Sequence, residues 1–475
     1  MPRPAILGWG SYVPRFQLTG AAVAAILGGS ASRKARAVAS YDEDAVTMAA
    51  AAARSALRTV PSFSPRVLQL ATSVPGYLVK SSAGTVHAAL GLAPGVRAAD
   101  FGGATRSGVT TLLAALESNQ PGLVVAADTR TEPVGAAGEL DGSDAAVAFL
   151  VSGAGDHPAR ATLLGSASIT TEVLDRWQML HEPFGAQADE RATEDVHVKA
   201  AAAALEKLFG EQQSEPVDVL VVATEHKRVR ESAAKRLKIQ ASQVVTAVPG
   251  LGCAGAADAG LLLTHALSTA TAGQRVLLLA LADGADALLL QVESDGVQNT
   301  APAVARQVAA ARPDLPYATY LSWRGLIERD AGRRPPLPAP APVPTLRSTQ
   351  WKYSLVGSRC IKCDTVHLPS ERVCRNCGSV DAMTSFPVRD QEATVLRVTT
   401  DWLAWSPQPP LIQAIVSFDG GGELRCEVTD VFDGELQAGD RIRMSFRVLR
   451  TVDGIKNYFW KASPTAAADS GKDAS

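Results

Sequence analysis

Gly142-Ser-Asp-Ala-Ala-Val-Ala-Phe-Leu-Val151 and Gly284-Ala-Asp-Ala-Leu-Leu-Leu-Gln-Val292 read as two versions of one segment. Each opens Gly-x-Asp and runs on as a strand-length apolar stretch. Upstream of each lies another apolar strand, at 123–127 and 276–280. Upstream again lies a Gly-bearing helix start, Ala104-Thr-Arg-Ser-Gly108 in the first copy and Gly252-Cys-Ala-Gly255 in the second. Three matched elements in one order predict an internal duplication, with chance likeness of Ala- and Gly-rich segments as the alternative. Short apolar strands alternate with Ala-rich helical segments throughout this region, which is the pattern of an α/β fold. We expect the two halves at 1–165 and 166–332.

The stretch 333–346, RRPPLPAPAPVPTL, marks a boundary. Alternating prolines favour extended polyproline backbone, so a semi-rigid linker without helix or strand is expected. Beyond it stand Cys360-Ile-Lys-Cys363 and Cys374-Arg-Asn-Cys377. Two such knuckles at this separation supply four thiolates that can close a tetrahedron around one zinc ion. Four unrelated cysteines, or a redox dithiol using one pair, are the competing readings. Four protein thiolates leave no open position, so this zinc anchors a ribbon at 347–385 and does no chemistry. Residues 386–463 alternate apolar and polar residues in five short runs, at 393–400, 411–418, 424–431, 441–448 and 457–461. Turn residues part them, which suits a small barrel of the OB type. The tail 464–475 is small and polar and is expected to be disordered.

Charge narrows the function classes. Among 475 residues, 46 Lys and Arg oppose 48 Asp and Glu, for a net charge of −2. That balance argues against a dedicated nucleic-acid or membrane-surface protein. The barrel carries no basic run, and Trp402, Trp405, Phe459 and Trp460 read as readily as core as a stacking platform. No apolar run is long enough to span a bilayer and no basic leader is present, so neither membrane insertion nor export is expected. A thiolate cluster needs a reducing compartment, which points to the cytoplasm.

Several segments together resemble hydroxymethylglutaryl-CoA synthases of the archaeal type. They are Ala5-Ile-Leu-Gly-Trp-Gly-Ser-Tyr-Val-Pro-Arg-Phe16, Asp42-Glu-Asp-Ala-Val-Thr-Met48, Tyr77-Leu-Val-Lys80, and Tyr317, Tyr320 and Arg324-Gly325. The resemblance covers nearly all of 1–330. It implies the thiolase fold, a duplicated five-layer α/β/α/β/α core, and an assembly that is dimeric. Residues 347–462 resemble a zinc-ribbon and OB family that accompanies such enzymes, bridging subunits and helping to hold acyl-CoA. Coenzyme A thioester is therefore the implied substrate, beside structural zinc.

The same resemblance exposes departures at the catalytic positions. The family places a nucleophilic cysteine at a helix N-terminus, where the dipole favours thiolate; Thr105 falls there. A hydroxyl ionises far less readily than a thiol, and no base is evident beside it. The family's acidic residue before Tyr77 has no counterpart, because 61–80 holds no Asp or Glu. Leu251 stands where its asparagine is expected. Only its histidine finds a match, in His226 after the strand 218–224, though aligning the helix that follows puts it two or three residues earlier. Candidate groups remain. Cys253, at the second Gly-rich turn, reads either as an acid/base thiol or as a small buried residue. Glu225 beside His226 either tunes a basic imidazole or forms a charged surface turn. Lys227, Arg228 and Arg230 either meet the CoA phosphates or solvate a helix start. His181 sits in the region that caps the substrate site in the family, and Cys426 reads as core. Two functions fit: an enzyme forming or cleaving a carbon–carbon bond β to a thioester, by aldol or retro-aldol chemistry or by acyl transfer, or a non-catalytic partner. The second would dock CoA and shape the tunnel as homodimer or beside a thiolase-like subunit.

Overall fold

The computed structural model describes residues 3–118, 120–153, 157–179, 182–210, 216–294, 303–330, 339–432 and 434–465. The chain divides into two compact units. One holds the chain through Ser40, Asp44–Val86 and Ala93–Arg324; the other holds Tyr41–Glu43, His87–Leu92 and the chain from Gly325.

The first unit is built on ten hydrogen-bonded strands: β1 (Pro4–Tyr12), β2 (Val67–Thr72), β3 (Arg97–Gly102), β4 (Gly122–Asp128), β5 (Ala145–Gly153), β6 (Ala161–Thr170), β7 (Val219–Ala223), β8 (Gln243–Val245), β9 (Arg275–Leu281) and β10 (Gly284–Val292). Their order is β8-β7-β9-β10-β6-β1-β5-β4-β2-β3. Read outward from the β6–β1 seam, the two sides repeat each other. The Gly-x-Asp strands β5 and β10 come second, each antiparallel to its upstream strand β4 or β9. Those in turn pair in parallel with β2 and β7. The seam holds only Ala5–Thr162 and Ile6–Ala161. Strands β4 and β9 are buried almost throughout, and strands covered on both faces are written as continuous apolar runs.

Helices α1 (Ala45–Thr59), α2 (Ser107–Ser118), α3 (Glu190–Phe209), α4 (Lys227–Arg236) and α5 (Asp258–Thr269) complete the layers. Asp44 caps α1, accepting from the Thr47 amide while the Thr47 hydroxyl accepts from the Asp44 amide. This reciprocal pair serves two of the orphan donors at the helix start. Buried alanines 49, 50, 52, 53 and 56 let α1 lie close on β1 and β5, as α3 lies on β6 and β10. Helices α2 and α5 pack on each other between the two half-sheets. The result is α/β/α/β/α, the expected duplication.

The aspartate of each Gly-x-Asp segment is buried and paired with arginine. Asp144 takes Arg36 at 3.2 Å and also Arg324. Asp286 takes Arg106 at 2.8 Å. Helix α2 is packed just as tightly against the turn Gly255–Ala257 that leads into α5: a Cβ on Gly108 would lie 1.8 Å from the Ala256 carbonyl oxygen. Neither backbone can yield without moving a helix. We expect Gly108→Ala to cost about 3 kcal/mol, the upper part of the usual overpacking range. A shift in the urea midpoint at unchanged slope measures it, and an unchanged midpoint contradicts it.

In the second unit, Pro342–Arg347 is a short helix, a correction to the expectation of extended linker up to 346. Pro342 and Pro344 sit in its first turn, where the missing amide hydrogens would have had no intrahelical partner. Residues 331–338 and 466–475 lie outside the described residues; Pro464, expected in a disordered tail, instead ends the strand Ile455–Pro464, paired with Ile442. Strands β11 (Val356–Cys360), β12 (Val366–His367) and β13 (Met383–Pro387) make a small sheet in the order β12-β11-β13. Five more follow: β14 (Glu392–Asp401), β15 (Leu411–Phe418), β16 (Glu423–Glu427), β17 (Arg441–Val452) and β18 (Ile455–Pro464), ordered β16-β15-β14-β17-β18. A bridge from Val428 to Ala462 brings the two edges together, which closes the sheet as a small barrel. Trp460 lies in its core, whereas Trp402 is 71% exposed. No described helix is long and apolar enough to cross a membrane.

Candidate functional site

The ribbon cysteines converge. Cys360 Sγ lies 3.7 Å from Cys377 Sγ and Cys363 Sγ 3.4 Å from Cys374 Sγ, with all four sulfurs within 4.8 Å. Around zinc with bonds of about 2.3 Å, tetrahedral sulfurs stand about 3.8 Å apart, so the cage fits the ion. The Thr365 hydroxyl and amide hold Cys363 down to about 5, and Ser379 lowers Cys377 in the same way. Zinc is the structural metal of this module.

A second convergence lies where the two Gly-bearing helix starts meet. It is a small, half-open cleft lined among others by Thr105, Arg106, Thr224, Glu225, Cys253 and Asp258. The duplication builds it. The Cys253 amide donates to the Asp141 carbonyl and the Ser143 amide to the Cys253 carbonyl, both at 2.9 Å. The turn of one half is thereby stitched to the Gly-x-Asp segment of the other. Thr105 does line the pocket, but no hydrogen bond joins its hydroxyl to a base among the described residues. Its neighbour Arg106 is fully engaged. It donates to both Asp286 oxygens, at 2.8 and 3.0 Å, and to the Ile169 carbonyl at 3.1 Å.

Burial, with Asp258 and Glu225 nearby, pushes the Cys253 thiol well above the ordinary range, against the pull of Arg230 and Arg130. Asp258 is the carboxyl that inspection of the sequence missed. Its Oδ1 accepts from the Ala254 amide at 3.1 Å. Its Oδ2 is buried without an N–H or O–H partner among the described residues. Burial raises its pKa, only partly offset by Arg230. The pocket therefore sets a thiol and a carboxyl side by side, each raised above its usual range.

Glu225 and His226 do not act as a pair. Glu225 accepts from both terminal nitrogens of Arg130, at 3.2 and 3.1 Å, and is bridged by Arg176. His226 turns the other way, its Nε2 2.8 Å from Asp175 Oδ2. Nor do the three cations gather. Lys227 and Arg228 are exposed and face Glu231 and Glu194. Arg230 folds inward, its Nε donating to the Thr224 carbonyl at 3.0 Å. Helical spacing explains the split, since successive residues diverge around the axis. His181 lies outside the described residues. Cys426 is buried in the barrel, as expected.

Comparison with known proteins gives the frame. Residues 211–291 match the C-terminal domain of 3-oxoacyl-[acyl-carrier-protein] synthase III, and 352–381 match the ChsH2 rubredoxin-like zinc ribbon domain. A hydroxymethylglutaryl-CoA synthase of Thermococcus sibiricus is 28% identical over 340 residues, 67% of this chain and 95% of that protein. A DUF35 domain-containing scaffold protein of Methanothermobacter thermautotrophicus is 29% identical over 128 residues, 26% of this chain and 95% of its own length. Among solved structures, an HMG-CoA synthase complexed with CoA superposes with a TM-score of 0.58 at 16% identity, covering 67% of this chain and 90% of that one. A 3-oxoacyl-(acyl carrier protein) synthase III from Pseudomonas aeruginosa gives 0.54 at 21% identity, covering 62% and 99%.

Proposed function

Starting from a chain that carries a hydroxymethylglutaryl-CoA-synthase-like, thiolase-superfamily domain and a rubredoxin-like zinc ribbon, we propose that it is a cytoplasmic enzyme acting on acyl-CoA. It makes or breaks a carbon–carbon bond β to the thioester by direct aldol chemistry, with no acyl-enzyme. One observation carries this reading: the pocket sets the Asp258 carboxyl beside the Cys253 thiol, and burial raises the pKa of both, which favours acid/base work over a thiolate nucleophile. A general base works best when its pKa lies near the working pH. In the cleavage direction, ionised Asp258 takes the proton of the β-hydroxyl. The Cα–Cβ bond breaks, and its electron pair moves into the thioester as an enolate. Cys253 gives its proton to Cα and recovers one from Asp258, so a carbonyl compound and a shortened acyl-CoA leave.

The test uses the full chain alone with a panel of β-hydroxyacyl-CoAs. Products are followed by chromatography and covalent adducts by intact-protein mass. We expect cleavage with no adduct. A stable acyl adduct that disappears in Cys253→Ala overturns the proposal and restores covalent catalysis. A second reading draws support from the scaffold-protein relative of the C-terminal region: a non-catalytic partner that docks CoA for a thiolase-like subunit. Binding without turnover by the isolated chain, and activity only beside a copurifying subunit, favours it.

A further inference from the structure

The histidine that left the pocket has joined another group. Asp175 lies in a bend after β6, His197 stands within α3, and His226 occupies the position just before α4. Three separate elements thus aim at one point. His197 Nε2 and His226 Nε2 each lie 2.8 Å from the same Asp175 Oδ2, and the two rings stack tilted with centroids 4.5 Å apart. The side chains of the three are 0%, 6% and 10% exposed for His197, His226 and Asp175 respectively.

We propose that Asp175, His197 and His226 form a binding site for one divalent transition-metal ion, separate from the zinc ribbon. The geometry supports this directly. Two imidazoles and one carboxylate are a donor set suited to zinc, iron(II) or cobalt(II). Donors at about 2.1 Å from an octahedral ion stand about 3.0 Å apart in cis positions. The separations of 2.8 Å need only a few tenths of an ångström of opening. Without an ion, both Nε2 atoms converge on one carboxylate oxygen, and both Nδ1 atoms stay buried without partners among the described residues. With an ion, both Nε2 lone pairs are used and the carboxylate charge is met by the cation. Three protein ligands leave at least one position for water or a substrate oxygen, unlike the ribbon. The Nδ1–H groups then have no protein acceptor among the described residues, and missing support of that kind weakens a site about 10–100-fold. The expected affinity is therefore on the order of micromolar rather than nanomolar.

The test adds cobalt(II) to the full chain with its ribbon already filled with zinc. We expect one cobalt per chain, with visible d–d absorption typical of nitrogen and oxygen ligands and no sulfur-to-cobalt charge-transfer band. Asp175→Asn and His226→Gln should each abolish uptake while melting near the wild-type temperature. Should either variant fail to fold, the wild type decides: cobalt binding should give two strongly shifted, solvent-exchangeable imidazole N–H resonances. No uptake by the wild type, no shifted resonances, or equal uptake by both variants overturns the site. None of these readouts depends on turnover, so the aldol proposal and the metal site stand or fall separately.

Discussion

Cys374→Ser is expected to strip zinc from the ribbon and unfold it. Cys374 and Cys360 are each 1% exposed, and the sheet they support has one strand of only two residues, Val366–His367. Such a module buries too little apolar surface to fold on its own and depends on its metal. Zinc binding to sites of this kind is worth about 10–16 kcal/mol at neutral pH, and a serine hydroxyl does not ionise to replace a thiolate. Zinc per chain, measured by mass spectrometry of the metal, should fall by one. Brief proteolysis should then cut between 356 and 387. Unchanged zinc content or unchanged resistance to cleavage would refute the cage. Chelation at neutral pH should reproduce the effect in the wild type.

Asp258→Asn should slow carbon–carbon bond cleavage by about 10²–10⁴-fold, the usual contribution of a positioned acid or base. It should also stabilise the protein, and this second effect has a defined pH dependence. Burial raises the folded-state pKa of Asp258, so the native state holds the proton more tightly than the unfolded chain. Between the unfolded and folded pKa values, stability falls as pH rises. Asparagine cannot ionise and escapes that loss. The gain in melting temperature should be largest above the folded pKa and vanish below about pH 4, the unfolded value. A merely structural carboxylate would give the opposite sign, with loss of stability at pH 8.

What the amino-acid order discloses depends on how local the cause is. Strands β4, β5, β9 and β10 were legible because strands buried on both faces must be apolar along their whole length. The zinc cage was legible because two knuckles fix ligand spacing within a few residues. Pro342–Arg347 misled because proline's tolerance in a first turn depends on where the helix begins. The pocket was half legible. Thr105 and Cys253 lie at the matched helix starts, but Asp258 looks like any acidic residue in a first turn, and only burial of its Oδ2 sets it apart. The Asp175–His197–His226 cluster was not legible. Its members come from three elements with no common motif, and only the folded backbone brings them together. Glu225 and His226 show the converse, for these neighbours in the turn between β7 and α4 bind different partners, Arg130 and Asp175.

The two buried aspartates of the repeated segment leave a trace that evolution should keep. Asp144 answers to Arg36 and Arg324, and Asp286 to Arg106. Removing one partner of a buried pair costs about 3–5 kcal/mol, because the remaining charge is stranded. Neither member can drift alone. Among descendants of this gene, positions 106 and 286 should change together or not at all, and so should 36, 144 and 324. Both copies carry the aspartate, yet each is bound to its own arginines. A chimaera that transplants either segment without those arginines should not fold.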